Sequence, residues 1–241
     1  MTEKERQELL QELLEKQKAG ELKPSERYKI PLQEMPEQAP EIRRTNVNEV
    51  ATGYTETQAR IEALRCLGCK NEPCVNGCPV KIRIRDFIEE ISRGDYKKGL
   101  SIIKENSLLP AVCGRVCPQE NQCQLTCTVG RKFKDPTKAV SIGRLERFVA
   151  DLDQDSESTP TVAAETGKKV AIIGSGPGGI VAAADTRRAG HDVTMFEAFH
   201  KPGGVMVYGI PEFRLPKAIV QKEIDTLTEM GVKIVCNFIV G

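Results

Sequence analysis

No apolar run in this chain approaches the roughly 18–20 residues needed to span a bilayer. Neither sign of charge dominates: 35 basic residues face 34 acidic ones, a formal balance of +1. A nucleic-acid partner or a membrane surface calls for a basic excess, so neither is expected. The N-terminus, MTEKERQELLQELLEKQKAG, lacks the apolar core of a secretory signal. A cytoplasmic setting is therefore expected. Histidine is scarce: the two present, His191 and His200, fall in or beside predicted loops and read as solvated surface residues rather than catalytic ones. There is no internal repeat outside the cysteine motifs and no low-complexity tract. The 241 residues, 39% hydrophobic and 29% charged, are ordinary for a soluble globular protein. They suffice for one large domain or two small ones.

The pattern along the chain predicts four regions. Residues 1–45 form an N-terminal helix and an extended arm. Thr2 and Glu5 have capping-box spacing, and Leu9, Leu10, Leu13 and Leu14 form one stripe that packs on the body or on a partner. Prolines at 24, 31, 36 and 40 make 20–45 extended. Residues 46–150 form an all-helical region. One helix starts at Thr55, with Gln58 completing a capping box, and runs into Cys66; others cover 84–92, 96–105 and 138–150. Residues 151–168 are polar, lack periodicity and read as a linker. Residues 169–241 alternate strand and helix (KKVAIIG, PGGIVAAADTRRAG, DVTMFEA, KAIVQKEIDTLTEM, VKIVCNFIV), which indicates a parallel α/β sheet.

Cysteine is what the chain has in excess. Eight of its nine cysteines form two runs, Cys66-x2-Cys69-x4-Cys74-x3-Cys78-Pro79 and Cys113-x3-Cys117-Pro118-x5-Cys123-x3-Cys127. In a reducing compartment such runs bind metal or carry redox chemistry rather than form disulfides. Thiolates suit both iron–sulfur clusters and zinc. Proline directly after Cys78 and Cys117 favours clusters, because two-cluster ferredoxins carry it after the last cysteine of a run. The mixed spacings also differ from the repeated short CxxC knuckles of zinc sites. Cys236 sits in an apolar stretch and reads as a small core residue.

The other motif is Gly174-x-Gly176-x-x-Gly179, after a strand and opening a helix, with Glu197 ending the next strand 23 residues from Gly174. Gly174 permits the tight turn, Gly176 lets backbone approach a pyrophosphate, and Gly179 lets helix pack on strand. Glu197 can accept from a ribose hydroxyl, which favours FAD or NAD over NADP here.

The stretches MPEQAP, GYTETQARIEALRCLGCKNEPCVNGCPV, AVCGRVCPQENQCQLTC and IGRLERFVAD, followed by VAIIGSGPGGIVAAADTRRAGHDVTMFEA and KPGGVMVYGIPEFRLPK, resemble the glutamate synthase small-subunit family. That family includes the large subunit of NADH-dependent reduced ferredoxin:NADP oxidoreductase and the N-terminal region of dihydropyrimidine dehydrogenase. The likeness covers roughly residues 30–241. It implies an N-terminal all-helical double [4Fe–4S] domain followed by a partial Rossmann-type FAD-binding domain, an α + α/β class. It implies that Cys66, Cys69, Cys74 and Cys127 bind one cluster and that Cys78, Cys117 and Cys123 bind the other. Glu146 falls where some relatives place a non-cysteine fourth ligand, and Cys113 competes for that role. It also implies an FAD site, with Gly203 and Gly204 close to the flavin. Tyr208, Gly209, Ile210 and Arg214 lie in a flavin and interdomain segment; Tyr208 could equally be a core aromatic and Arg214 a surface cation.

The family further implies that NADPH reduces FAD, and that electrons pass through the two clusters to a large glutamate synthase-type subunit that makes glutamate. In the ferredoxin:NADP oxidoreductase alternative the partner is a ferredoxin-type or flavoprotein subunit. In the family a second Rossmann unit for NADPH follows; this sequence carries no second GxGxxG and is expected to be a fragment or one piece of a split enzyme, inactive alone. The rival from another class is a zinc-stapled interaction domain with a non-catalytic nucleotide fold.

Overall fold

The computed structural model describes residues 1–152 and 161–241. Residues 1–39 and 51–152 form one compact unit, and residues 40–50 with 161–241 form the other. The first is helical; the second holds a parallel three-stranded sheet.

In the first unit the opening helix spans Glu3–Lys18, and both halves of the Thr2/Glu5 capping box are formed. In a protein most of a helix's stability comes from packing its apolar face rather than from the helix alone. Leu13 is buried with Leu22, Ile30, Ile61 and Leu64, and Leu9, Leu10 and Leu14 pack against that cluster. Each such aliphatic contributes about 1.5–3 kcal/mol when fully buried. The leucine stripe therefore serves the chain's own core. The proline-rich arm differs from expectation: Pro24–Arg27 here, and Pro40–Arg43 in the second unit, are single helical turns. Proline opens each, and its fixed φ suits a first helical position.

The helix Glu56–Leu64 carries the expected Thr55/Gln58 box. Ile84–Arg93, Tyr96–Lys104 and Ile142–Leu152 follow. The last begins four residues later than its apolar pattern suggested, because Asp135 caps a 3₁₀ turn at Pro136–Lys138 instead. It also runs into the stretch read as linker. Asp151 accepts both guanidinium nitrogens of Arg115 (2.8 and 2.9 Å) and Nε of Arg147 (3.1 Å). Of the remaining linker residues, 153–160 lie outside the described residues. Residues 161–168 join the sheet unit, where Ala163 N–H donates to Arg188 and Thr166 N–H to Gly190.

A buried ion pair that the sequence reading missed ties this unit together. Glu62 accepts from Arg65, from Ser141 N–H (2.8 Å) and from Gln33 N–H (2.9 Å). Arg65 also donates to the carbonyls of Lys138 and Ala139. One carboxylate thus links the arm, the helix leading to Cys66, and the strap leading to Glu146.

In the second unit β1 (Lys169–Ile173), β2 (Asp192–Phe196) and β3 (Lys233–Val235) are parallel, with β2 in the middle. β3 is shorter than the apolar run VKIVCNFIV suggested. Beyond it Asn237 adopts φ +56°, and Phe238 N–H turns back to the carbonyl of Glu197. Pro177–Arg188 and Lys217–Glu229 are its long helices, and Val205–Tyr208 is a single turn. The segment 40–50 docks in this unit, with Val50 N–H donating to Phe213.

Candidate cluster and nucleotide sites

Two cavities in the helical unit collect the thiols. The first is lined by Cys66, Cys69, Cys74 and Cys127, with Ile84, Ile88, Val129 and Ile142. The second is lined by Cys78, Cys113, Cys117, Cys123 and Glu146, with Ile82, Phe87 and Ile142. Each sequence run is therefore split between the cavities. Two one-turn helices do this. Cys74 lies in Pro73–Gly77, and Cys78, just past its end, has extended backbone (φ −84°, ψ 124°). Cys123 opens Cys123–Thr126, and Cys127, just past its end, is extended too (φ −61°, ψ 127°). Leaving a helical turn for extended chain redirects the next side chain, so each pair of cysteines faces two ways.

Two glycines permit the convergence. A Cβ on Gly77 would lie 2.6 Å from the carbonyl oxygen of Gln122, and one on Gly114 would lie 2.6 Å from the backbone nitrogen of Arg147. Gly77 thus brings the two one-turn helices together. Gly114 seats Pro110–Val116, which bears Cys113 and leads to Cys117, against the helix bearing Glu146. Both stand inside the cysteine motifs, where their contact role carried no separate signal.

The electrostatics of the cavities suit an inserted cation-rich group. Burial pushes Cys66 up to about 11, and the nearby Cys127 and Cys69 add to it. Burial pushes Cys74 up to about 12, helped by Cys66 and Cys127. In the second cavity burial, then Glu146 and Cys78, take Cys123 to about 12. Cys117 is lowered, chiefly by a hydrogen bond from Cys113. Thiols raised this way, as Cys66, Cys74 and Cys123 are, favour the protonated form until a metal displaces the protons. Glu146 is buried, and its Oε1 has no hydrogen-bond partner among the described residues. Burial first, and Cys113 second, raise its pKa well above the usual carboxylate range. An ionised carboxylate here is costly unless something positive meets it. The thiols surround cavities rather than one point. Among the described residues no three His, Cys, Asp or Glu side chains are placed to hold a single metal ion.

In the sheet unit the fingerprint loop follows β1. Gly174 has φ +91°, and a Cβ on Gly179 would lie 2.0 Å from the Gly174 carbonyl oxygen. That contact is the close helix–strand packing the motif demands. Gly176 and Gly178 face open space. Gly203 and Gly204 both have positive φ, and a Cβ on Gly204 would lie 2.7 Å from Gly176 Cα. The second glycine pair therefore closes onto the first.

Glu197 is buried at the end of β2. One oxygen accepts from Ser175 N–H (2.9 Å) and the Ser175 hydroxyl, the other from Phe199 N–H (2.9 Å). Burial acts to raise its pKa, but the Ser175 hydroxyl and the Phe199 and Ser175 N–H groups outweigh it, and the net shift is downward. Ser175 Oγ in turn accepts from Gly203 N–H (3.1 Å). The acidic residue expected to reach a ribose thus also locks the loop, a link the fingerprint does not reveal. Lys217 was missed too: its ammonium donates to the carbonyls of Met206, Ile210 and Leu215 and fastens the turn after Gly204.

Arg214 is exposed. Tyr208 is 44% exposed, so it is not a core aromatic. It packs on Phe199, and its hydroxyl lies 3.3 Å from His200 Nδ1. His191 contacts the Thr166 hydroxyl. Cys236 is half-buried beyond β3. No helix among the described residues is long and apolar enough to cross a membrane.

Residues 43–158 match the family model of dihydropyrimidine dehydrogenase domain II, 4Fe-4S cluster, and residues 172–216 match the NAD(P)-binding Rossmann-like domain. The NAD-dependent dihydropyrimidine dehydrogenase subunit PreT of Salmonella typhimurium is 41% identical over 196 residues, 81% of this chain and 46% of that protein. The glutamate synthase [NADPH] small chain of Escherichia coli K12 is 34% identical over 208 residues, 86% of this chain and 43% of that protein. That of Azospirillum brasilense is 32% identical over 212 residues, 87% of this chain and 43% of that protein. The chain is similar to the glutamate synthase small-subunit family and to dihydropyrimidine dehydrogenase subunits. It spans about half the length of the curated relatives it matches. On these matches the helical unit is the 4Fe–4S domain and the sheet unit the Rossmann-like one.

Proposed function

We propose that this chain is the electron-carrying part of an NAD(P)H-dependent iron–sulfur flavoprotein, with two [4Fe–4S] clusters and one FAD. Cys66, Cys69, Cys74 and Cys127 hold one cluster. Cys78, Cys117, Cys123 and Glu146 hold the other. The observation that carries the reading is the division of the thiols between two cavities, one of which also holds the unsatisfied carboxylate of Glu146. When bound, a flavin supplies hydride acceptance and the clusters supply one-electron carriage. The chain's own residues bind and exclude water: Ile84, Ile88 and Val129 wall the first cavity, Ile82 and Phe87 the second. Cys113 lines the same cavity and is the competing fourth ligand to Glu146.

The loop Gly174–Gly179 takes the pyrophosphate of FAD where Gly176 and Gly178 face open space, and Gly203 and Gly204 close the turn beside it. Glu197 has lone pairs left beyond its three accepted bonds and can take a ribose hydroxyl. Arg214 stands in the same segment, exposed. In this reading NADPH is the electron source, bound by a segment outside residues 1–241, and a cytoplasmic partner subunit takes the electrons. The glutamate-forming partner is the first choice. The higher identity to a dihydropyrimidine dehydrogenase subunit favours, as a second reading, a partner of that kind. Affinity purification from the native host distinguishes them: a large glutaminase-bearing subunit supports the first, a pyrimidine-reducing subunit the second. A small [2Fe–2S] flavoprotein would point to the ferredoxin:NADP oxidoreductase. A colourless chain with stoichiometric zinc would replace the proposal with the interaction-domain rival.

A further inference from the structure

Arg27 closes a one-turn helix in the N-terminal arm, far from both cysteine runs in sequence. Its Nη1 nevertheless donates to the carbonyls of Leu64 (2.7 Å) and Cys66 (2.9 Å), and its Nε to Leu22 (3.2 Å). The first two carbonyls lie at the negative end of the helix that delivers Cys66, where a cation is favoured. The bland role is that of a helix cap supplied from elsewhere in the chain.

Three further observations go beyond a cap. First, one of the carbonyls that anchors the guanidinium belongs to Cys66 itself, which lines the first cavity. Second, Arg27 lines a polar cavity of about 200 Å³ with Gln17, Cys66, Gly68, Arg85 and Glu89. Third, the other cavity has no such cation. Its lining includes no Arg or Lys, and its acidic side chain is the buried Glu146. A guanidinium keeps its charge across the working pH range.

We infer that Arg27 is a positioning residue for reduction at the first cavity: anchored on the Leu64 and Cys66 carbonyls, it holds a fixed positive charge beside Cys66 that favours the electron-rich state there. The inference rests on the cluster reading given above. Uptake of one electron adds one negative charge; no bond forms or breaks, and in the test dithionite supplies the electron. Two unit charges within about 8–10 Å at an effective dielectric near 20 interact by several RT. Loss of the cation should therefore shift the reduced-to-oxidised ratio about tenfold or more.

The test is an EPR-monitored redox titration of the full chain, reconstituted with iron and sulfide under anaerobic conditions. Wild type, Arg27→Gln and Arg27→Lys are compared, with Cys78→Ala identifying the first-cavity signal. Arg27→Gln should keep its iron and lower the first midpoint by about 59 mV, the one-electron equivalent of tenfold, while the second stays put. Arg27→Lys, which keeps the charge, should stay within a few-fold of wild type. An unchanged midpoint in Arg27→Gln, or equal shifts of both clusters, overturns the inference. So does like behaviour of the Gln and Lys variants, including loss of iron by both, since Arg27 is then a cap alone. A wild-type chain that takes up no iron instead overturns the cluster reading itself, and this inference with it.

Discussion

Replacing Cys78 by alanine separates two ways of grouping the thiols. Cys78 is the fourth cysteine of the first run, so grouping by sequence makes it a ligand of the same cluster as Cys66, Cys69 and Cys74. In the structure it lines the other cavity, with Cys117, Cys123 and Glu146. The change removes one buried sulfur, comparable to deleting a single core methylene, and costs on the order of 1 kcal/mol. The fold should survive. Iron should then fall from about eight to about four per chain, because one [4Fe–4S] site of two is disabled. Cys127→Ala should give the same count by emptying the first cavity. The two variants should differ in the EPR signal that remains, and together they account for the wild-type spectrum. The assay is iron and acid-labile sulfide per chain, with EPR of the dithionite-reduced protein and circular dichroism as a check on folding. Equal loss of both signals in folded Cys78→Ala, or the same surviving signal in both variants, would falsify the crossed grouping.

Three other outcomes follow from the same structure. Glu146 has a folded pKa raised by burial, so the stability it contributes is present below its usual value near 4.5 and is lost as pH rises through the raised value. Iron-free wild type should therefore lose stability relative to Glu146→Gln as pH climbs, by about 1–3 kcal/mol or more at the alkaline end; a pH-independent difference in urea midpoints would contradict this. Glu62→Gln strands Arg65 in the interior and should cost about 3–5 kcal/mol, read as a lowered urea midpoint; a loss below about 1 kcal/mol, the scale of an exposed pair, would show that the pair is not buried in solution. Gly179→Ala drives a methyl group into the Gly174 carbonyl. It should abolish retention of FAD while leaving the iron count intact, and retained flavin would refute the reading of this loop.

Much of the architecture was legible because local chemistry and tertiary need coincide. The Thr2/Glu5 and Thr55/Gln58 boxes begin helices where their spacing says. The fingerprint glycines sit between β1 and its helix as the motif requires. The failures share a cause: the deciding partner is distant in sequence. Proline spacing suggested extended chain in the arm, but Pro24 and Pro40 open helical turns. The run after Val232 is apolar enough for a long strand, yet only three residues find a partner in β2. Cysteine spacing cannot say which thiol faces which cavity, since that depends on two one-turn helices meeting at Gly77. The Glu62–Arg65 pair reads locally as an ordinary i, i+3 surface pair; only the burial contributed by 33 and 138–141 makes it structural. Ser175 and Lys217 likewise acquire their roles from chain that arrives later.

The claim on which everything else rests is that the eight clustered thiols enclose two iron–sulfur centres. Anaerobic reconstitution followed by iron, zinc and acid-labile sulfide analysis on the purified chain tests it most directly. About eight irons and about eight sulfides per chain, in a brown protein, are predicted for two [4Fe–4S] centres; a colourless folded chain with stoichiometric zinc, or with no metal and no sulfide, would contradict it.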